Sequence, residues 1–238
     1  MENRIGRVLT KVNQFIQFRI DTTNFMIDKP KFDYQPLPWL GIKRAEIRGE
    51  ATYARWEAIK GQSANVSSLK DIGCCVGFFC HSAADEFGIN TIGIDMNDRF
   101  LRIANRAKCK IQNGDKEIFF NLKIDIDTVN LLPKTDSTIL FSVWHHWVFY
   151  YGLDGATKIL KSVWESTNNV LFFESGEEET KEEFNLPFDK KASIWLKEYL
   201  VKNLEGSEVT VLGEFEAGNY KHYEIKKYKR TVFSIVKK

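Results

Sequence analysis

Short apolar runs alternate with stretches of helical periodicity through the middle of the chain. The apolar runs have strand length, whereas the stretches between them repeat their apolar residues every three or four positions. The predicted strands are SSLKDIG at 67–73, Thr91–Met96, EIFFNLKID at 117–125, Thr138–Trp144 and Val170–Gly176. The predicted helices are FFCHSAADEFG at 78–88, DRFLRIANRAK at 98–108 and GATKILKSVWEST at 155–167. This alternation predicts a mostly parallel sheet with helices on both faces.

Both ends of the chain add further elements. Apolar residues from Ile5 to Ile20 recur at helical intervals, and a second helix is predicted from Glu50 to Lys60. Near the carboxyl terminus, EVTVLGEFEA and RTVFSIVKK alternate with period two on either side of GNYKHYEIKKYK, which predicts an antiparallel strand pair. We therefore predict an α/β domain at 61–238 with a seven-stranded, mostly parallel sheet and an antiparallel terminal strand. An N-terminal helical extension, or lid, at 1–60 precedes it.

Composition narrows the class of protein only a little. A formal net charge of +2 and a hydrophobic fraction of 43% suit a globular chain and argue modestly against a nucleic-acid partner. No apolar run reaches the roughly 18 residues of a membrane span, and residues 1–19 lack the apolar stretch of a secretory signal, so we expect a cytoplasmic protein. The four cysteines lack the spacing of a zinc site, so we expect reduced thiols and no metal.

The turn after the first predicted strand, DIGCCVGFF, carries the clearest candidate chemistry. Gly73 and Gly77 remove side chains where the backbone must turn sharply and where a ligand must approach the main chain. Asp95 ends the next strand, about 20 residues further on, where a carboxylate can accept hydrogen bonds from both hydroxyls of a ribose. A dinucleotide fingerprint would need glycines at Cys75 and Phe78, so NAD is disfavoured. The alternative is a glycine-rich turn without a ligand.

These residues resemble a known family. LKDIGCCVGFFCHSAA and GIDMNDRFLRIANRA are similar to motifs I and II of class I S-adenosylmethionine (SAM) dependent methyltransferases. The resemblance implies SAM as the cofactor. It places Asp71, Gly73, Cys75 and Gly77 around the amino-acid part of SAM, and Asp95 on its ribose. Many members of the family have glycine where this chain has Cys75.

The similarity covers about residues 65–176 and implies further contacts with the cofactor. Asp125 and Ile126, in KIDID, resemble the pair that contacts adenine, although Asp127 fits nearly as well. Ser142, in the fourth predicted strand, is another candidate cofactor contact. RTVFSIVKK is similar to the seventh strand of the family.

The segment SVWHHWVFYYG follows, where the fold would hold the transferred methyl group. A hydroxyl acceptor needs alignment and benefits from a general base. His146 or His145 could be that base because imidazole titrates near neutral pH, and we expect at least one of them to be structural. Glu174 is an alternative base. Glu177 belongs to the acidic run Glu174–Glu183, which we expect to be solvated.

Two other groups of side chains have a functional and a structural interpretation. The aromatic residues between Trp144 and Tyr151 could stack on a sugar or a base, but aromatic residues are more often core. Seven N-terminal residues suit a phosphate-bearing acceptor, but surface charges around a docking helix are the favoured interpretation: Tyr34, Trp39, Lys43, Arg44, Arg48, Arg55 and Trp56. His81 is expected to be packed or on the surface.

The stretch SVWHHWVFYYGLDGATKIL also resembles methyltransferases that modify saccharides or lipid-linked glycans. We therefore predict methyl transfer to a sugar or phosphosugar hydroxyl on a small-molecule or glycan acceptor. The resemblance to RNA-end methyltransferases is only a little weaker, so RNA is the alternative acceptor. A non-catalytic SAM-binding scaffold is the alternative of another class. The sequence does not indicate the oligomeric state.

Overall fold

The computed structural model of this chain describes residues 35–42, 49–63, 65–221 and 224–238. Its strands are β1 (Ser68–Ile72), β2 (Asn90–Asp95), β3 (Glu117–Asn121), β4 (Thr135–Phe141), β5 (Thr167–Glu174), β6 (Ser207–Lys221) and β7 (Glu224–Lys237). They form one sheet in the order β3-β2-β1-β4-β5-β7-β6. Strands β1 to β5 pair in parallel, and β7 runs antiparallel to both of its neighbours. The predicted seven-stranded, mostly parallel sheet with an antiparallel terminal strand is confirmed.

Helices cover both faces of this sheet. They are α1 (Gly49–Ser63), α2 (Phe78–Phe87), α3 (Asp98–Lys108), α4 (Trp144–Glu165) and α5 (Ala192–Asn203). Successive side chains of a strand point to opposite faces. In β5, Phe172 therefore packs in the cluster that contains α1 and α2, and Phe173 packs in the cluster that contains α4 and α5. Each face of the sheet has its own hydrophobic core.

Helix α3 shows why local sequence predicted its bounds correctly. The side chain of Asn97 accepts a hydrogen bond from the backbone N–H of Arg99 and caps the helix. Asp98 lies in the first turn, and Arg106 and Lys108 lie in the last, where each charge is favourable with respect to the helix dipole. The predicted helix at 98–108 is therefore confirmed.

Strand β4 and helix α4 differ from the prediction. The strand ends at Phe141, and α4 begins at Trp144, inside the predicted strand. Gly152, with φ of 67° and ψ of 176°, breaks the helical path within α4, so the part of α4 after this break corresponds to the helix predicted at 155–167. Ser142 has a left-handed backbone, with φ of 59°, which stops the strand. Trp144 is fully buried, and its Nε1 donates to the Tyr199 hydroxyl of α5 at 3.3 Å. An apolar run can be strand or helix, and here packing against α5 favours the helix.

Four other strands differ from their predicted bounds by more than one residue. Strand β3 stops at Asn121 rather than at residue 125, and β5 spans Thr167–Glu174 rather than Val170–Gly176. Strands β6 and β7 continue into the segment predicted to separate them, up to Lys221 and Glu224. The alternation of apolar residues fades in that segment. The two strands still pair with each other there, so their backbone groups form hydrogen bonds although the apolar pattern is absent.

The described part of the N-terminal region packs on the main body. Helix α1 extends slightly beyond the predicted Glu50–Lys60. Trp56 and Ile59 are buried, and the Trp56 Nε1 donates to Glu86 Oε1 at 2.6 Å. The predicted helix at Ile5–Ile20, as well as Tyr34, Lys43, Arg44 and Arg48, lies outside the described residues. Among the described residues, no helix combines the length and apolar character that crossing a bilayer requires.

Several polar or reactive side chains are packed inside the fold. His81 is fully buried, and its Nδ1 lies 2.6 Å from Glu117 Oε2, which agrees with the packed position expected for it. Cys74 and Cys80 are buried thiols whose pKa values are raised well above the usual range by burial. Cys109 is exposed.

Lys70 is a fully buried lysine in the middle of β1. Its Nζ donates to the carbonyl oxygens of Ser166 at 2.6 Å and Pro133 at 3.1 Å, and so ties together the segments that precede β4 and β5. Burial, assisted by the positive charge of Lys237, lowers the pKa of Lys70 from 10.5 to about 7. The folded state therefore releases this proton at a lower pH than the unfolded state does.

Substituting Lys70→Met should alter how stability depends on pH. Between about pH 7 and pH 10.5 the unfolded wild-type chain binds more protons at this position than the folded chain. Its free energy of unfolding should rise with pH in that window, by up to about 1.4 kcal/mol per pH unit, relative to the variant. Urea denaturation of both proteins across this range measures the difference, with the exposed Lys161→Met as the control. Parallel pH curves for wild type and Lys70→Met would contradict the titration.

Candidate active site

A cavity of about 760 Å³ lies at the carboxyl ends of the parallel strands. Its size falls within the range of roughly 300–1,000 Å³ typical of small-molecule and cofactor sites. Gly73 after β1, Asp95 of β2, Ser142 after β4 and Glu174 of β5 all line it. In open α/β sheets ligands bind at this edge, so the cavity is the candidate active site.

The turn between β1 and α2 has a left-handed backbone at three positions. The φ angles of Gly73, Cys75 and Gly77 are 79°, 53° and 84°. A Cβ at Gly73 would lie 2.5 Å from Cγ2 of Val143, and a Cβ at Gly77 would lie 2.8 Å from the Phe119 ring. Both glycines are therefore required by sterics as well as by backbone conformation. Gly73 and Cys75 line the cavity, whereas Gly77 shapes the start of α2 outside the lining.

Asp95 joins this turn to the end of β2. Its Oδ2 accepts a hydrogen bond from the backbone N–H of Cys75 at 2.8 Å, and its Oδ1 accepts one from Asn97 at 2.8 Å. Burial raises the pKa of Asp95, and these backbone donors oppose that shift. Each carboxylate oxygen has a second lone pair, so the fixed side chain can still accept hydrogen bonds from a ligand in the cavity.

Asp71 is a second acid in the lining, near the end of β1. Its side chain is almost completely buried, and among the described residues its Oδ2 has no hydrogen-bond partner. Burial, and then the negative charge of Asp95, raise the pKa of Asp71 well above its ordinary range. A cationic group on a ligand would offset both effects and provide the missing partner.

Asp125 and Ile126, which the resemblance assigned to adenine, are not part of the lining. Asp125 Oδ1 accepts backbone N–H groups within its own turn, and its Oδ2 lies 3.1 Å from Lys123 Nζ. Ile126 is exposed. The lining in this region consists of residues 122–124 together with Met96 and Phe100, which provide a mainly apolar surface.

The two adjacent histidines have different surroundings. His145 is buried outside the lining, and its Nδ1 accepts the backbone N–H of Gly176 at 3.0 Å, which fixes the loop after β5. His146 lines the cavity. Partial burial and the positive charge of Arg230 lower the pKa of His146, so its ring is neutral at physiological pH and able to accept a proton.

Glu174 is completely buried in an ionic network at the cavity wall. Its Oε2 accepts from Nε of Arg55 at 2.5 Å, and its Oε1 accepts from the Ser142 hydroxyl at 2.9 Å. Nη1 of Arg230 donates to the same hydroxyl at 2.9 Å and lies 3.8 Å from Glu174 Oε1. Both of its oxygens accept from donors of the protein, which fixes Glu174 at the cavity wall; its role as a base stays a prediction. The same network engages Ser142.

The structure corrects the expectation of a solvated acidic run at two of its acids. Glu174 is not exposed and Glu177 is 4% exposed, whereas Glu178, Glu182 and Glu183 are exposed as expected. The chain folds back after β5 so that Glu177 Oε1 accepts the backbone N–H of Thr231 at 2.5 Å. This carboxylate is buried because it satisfies a donor of β7 that would otherwise lack an acceptor.

Arg55 corrects the expectation that the N-terminal charges lie on the surface. It is 3% exposed and lines the cavity together with Thr52 and Gln35. Thr52 and Arg55 are three residues apart on one helix, a spacing that places both on one face and could have indicated their shared role. No local feature of the sequence pointed to Arg230, which comes from β7.

The strand order and the arrangement of Asp95 against the Gly73 turn define the class I methyltransferase fold. No family model matches the chain, and no curated protein matches its sequence.

Solved structures share the fold at low sequence identity. WbdD, a bifunctional kinase-methyltransferase, is 19% identical, with a TM-score of 0.63 over 85% of this chain and 44% of its own. Magnesium protoporphyrin IX methyltransferase (ChlM) from Synechocystis PCC 6803, with bound SAM, is 13% identical, with a TM-score of 0.53 over 80% of this chain and 79% of its own. PH1948 from Pyrococcus horikoshii, a candidate RNA methyltransferase, is 12% identical, with a TM-score of 0.52 over 84% and 88%. This chain thus spans less than half the length of WbdD.

Because Cys75 has a left-handed backbone, a glycine at this position should give a more stable protein than an alanine, which is the reverse of their order in a helix. Cys75→Gly and Cys75→Ala both remove the thiol, but alanine keeps a Cβ at φ of 53°. The glycine variant should therefore be more stable than the alanine variant by about 1 kcal/mol. Urea denaturation measures both, and Ala107 of helix α3 supplies the control, since alanine is better there than glycine by about 1 kcal/mol. A more stable Cys75→Ala would show that the strain is absent.

Proposed function

We propose that this protein is a SAM-dependent methyltransferase. The observation that carries the proposal is the hydrogen bond between Asp95 and the backbone N–H of Cys75, which holds an acidic side chain against a glycine turn in a cavity of suitable size. The fold shared with WbdD and with SAM-bound ChlM supports it.

The lining residues fit SAM at one end of the cavity. Asp95 would accept the ribose hydroxyls, and Gly73 would let the methionine part approach the backbone. Asp71, whose buried Oδ2 has no hydrogen-bond partner in the described part of the chain, would bind the ammonium group. Met96 and Phe100 would contact the adenine. When bound, SAM supplies a methyl group on a positively charged sulfur.

Side chains at the other end suit a hydroxyl acceptor. His146, held neutral by its surroundings, would take the proton from the acceptor hydroxyl. Trp147 and Tyr151 line the cavity on the side of residues 122–124, because Trp147 Nε1 donates to the Ile124 carbonyl oxygen at 2.9 Å and Lys123 Nζ donates to the Tyr151 hydroxyl at 3.0 Å. The resemblance of this segment to saccharide methyltransferases supports a sugar or phosphosugar hydroxyl as the acceptor.

The N-terminal region would complete the acceptor end. Gln35, Thr52 and Arg55 are the N-terminal residues in the lining. We infer that the segment 1–60 serves as a cover for the acceptor and that 61–238 forms the methyltransferase domain.

RNA is the second candidate acceptor, and the fold shared with PH1948 favours it. Supplying isotopically labelled SAM and the protein to a cell extract, followed by RNase or glycosidase treatment, separates the two. Label released by glycosidase supports a glycan, and label released by RNase supports RNA. Binding of SAM without any labelled product would favour a non-catalytic scaffold.

Calorimetric titration with SAM, its product S-adenosylhomocysteine (SAH) and NAD tests the cofactor. We expect SAM and SAH to bind and NAD not to bind. Asp95→Asn removes the charge that strengthens the hydrogen bonds to ribose, and should weaken SAH binding about tenfold or more. The matched control is Asp98→Asn, an exposed acid at the start of α3, which should bind SAH like the wild type. NAD binding, or equal SAH affinity in both variants, would contradict the cofactor assignment.

Turnover in variants of the two histidines tests the proposed base. His146→Ala should lower turnover about 10²-fold while leaving SAH affinity unchanged. The rate of the wild type should fall as pH drops through the pKa of His146, which lies below the ordinary 6.5, and the variant should lose this limb. His145→Ala should reduce stability but keep the pH profile, since its ring is buried outside the lining. A pH limb that persists in His146→Ala would eliminate His146 as the base.

A further inference from the structure

The cavity wall contains a guanidinium with one unused donor. Nε of Arg55 donates to Glu174, and Nη1 donates to the carbonyl oxygens of Ala51 at 3.0 Å and Glu216 at 2.8 Å. Among the described residues Nη2 is buried and has no hydrogen-bond partner. A buried donor without an acceptor is unfavourable, and more so when it is charged, so an acceptor atom supplied by a ligand would be strongly favoured there.

One other side chain can donate a hydrogen bond beside Arg55. Gln35 precedes α1 and lines the cavity. Its Oε1 accepts from the backbone N–H of Phe78 at 3.4 Å, which leaves its amide nitrogen to donate elsewhere. A guanidinium and an amide in one wall form a donor set that suits an oxyanion.

The charges around this wall limit what the oxyanion can be. Arg55 and Glu174 form a neutral pair, and Arg230 forms another with Glu179 at 2.8 Å. Lys123, the other cationic residue of the lining, lies 3.1 Å from an Asp125 carboxylate oxygen. Among the described residues a ligand therefore meets one guanidinium donor, whose charge Glu174 already balances, and no uncompensated cation. A single negative charge would share that guanidinium with Glu174, whereas a second would be buried without a donor.

We propose that Arg55, with Gln35, binds a singly charged oxyanion on the acceptor, a carboxylate or a phosphodiester. The proposal deepens the proposed function, on which it rests, by defining the acceptor class: a molecule that carries a hydroxyl near His146 and a monoanionic group at Arg55. A phosphomonoester, which carries close to two charges at neutral pH, fits this wall less well.

Four phenyl compounds that differ in their polar group test the charge of the site: benzoate, methyl phenyl phosphate, phenyl phosphate and benzyl alcohol. Their ring suits the aromatic part of the lining, so affinity differences report the polar group. Ligand-observed NMR titrations use the full chain, with and without saturating SAH. We expect benzoate or methyl phenyl phosphate to bind at least about tenfold more tightly than benzyl alcohol and more tightly than phenyl phosphate. The tighter of the two monoanions identifies the oxyanion.

Two matched variants assign the preference to Arg55. Arg55→Lys keeps the charge opposite Glu174 but removes the second arm of the guanidinium, and should abolish the preference for the monoanion. Arg230→Lys makes the same change in the neighbouring pair, outside the lining, and should retain the preference. Near-ultraviolet circular dichroism reports whether each variant is folded. If Arg55→Lys does not fold, Gln35→Glu takes its place: it keeps the oxygen that accepts from Phe78, removes the amide donor and should weaken benzoate binding several-fold.

The outcomes separate this proposal from the proposed function. Failure of both monoanions to bind, equal affinity for benzyl alcohol, tighter binding of phenyl phosphate, or an unchanged preference in Arg55→Lys would each overturn the oxyanion site. Failure of SAH to bind would overturn the methyltransferase. Should the protein prefer benzoate without binding SAH, the oxyanion site would be supported and the proposed methyl transfer would be contradicted.

Discussion

The hydrogen bond from the backbone N–H of Cys75 to the carboxylate of Asp95 holds the candidate active site together. It requires β1 and β2 to be parallel neighbours, because only then do the turn after one strand and the last residue of the other lie at the same edge of the sheet. It also requires the turn to take a left-handed path at Gly73 and at Cys75 itself. The strand order and the conformation of the turn therefore produce the same arrangement, in which an acidic side chain is held against exposed main chain.

Buried polar groups at the two ends of the cavity lack opposite kinds of partner. Asp71 has an unpartnered oxygen and lies near Asp95, so this end is poised for a cation. Glu174 is instead neutralised by Arg55, whose Nη2 has no hydrogen-bond partner among the described residues. Leaving such groups unsatisfied costs stability, and a ligand that supplies the missing partners would offset that cost. A positively charged methyl donor at one end and an anionic acceptor at the other would satisfy both.

Local sequence predicted the parts of the site that depend on neighbours in the chain. The strand lengths and the glycine turn were sufficient to bring Gly73 and Asp95 together. The pair of Arg55 and Glu174 joins residues 119 positions apart, and no periodicity reports such a contact. The acidic run around Glu174 predicted a solvent-exposed position, because composition describes only the average environment of charged residues. The burial of Glu174 depends instead on a specific partner from α1.

The choice between His145 and His146 follows from how α4 begins. Successive residues of a helix point about 100° apart, so two adjacent histidines cannot both face the cavity. The absence of a side chain at Gly73 lets Val143 approach the turn, since a Cβ there would lie 2.5 Å from Val143 Cγ2. The backbone N–H of His146 donates to the Val143 carbonyl in the first turn of α4. A side chain at position 73 would thus displace the start of the helix as well as the cofactor, which couples the cofactor turn to the proposed base.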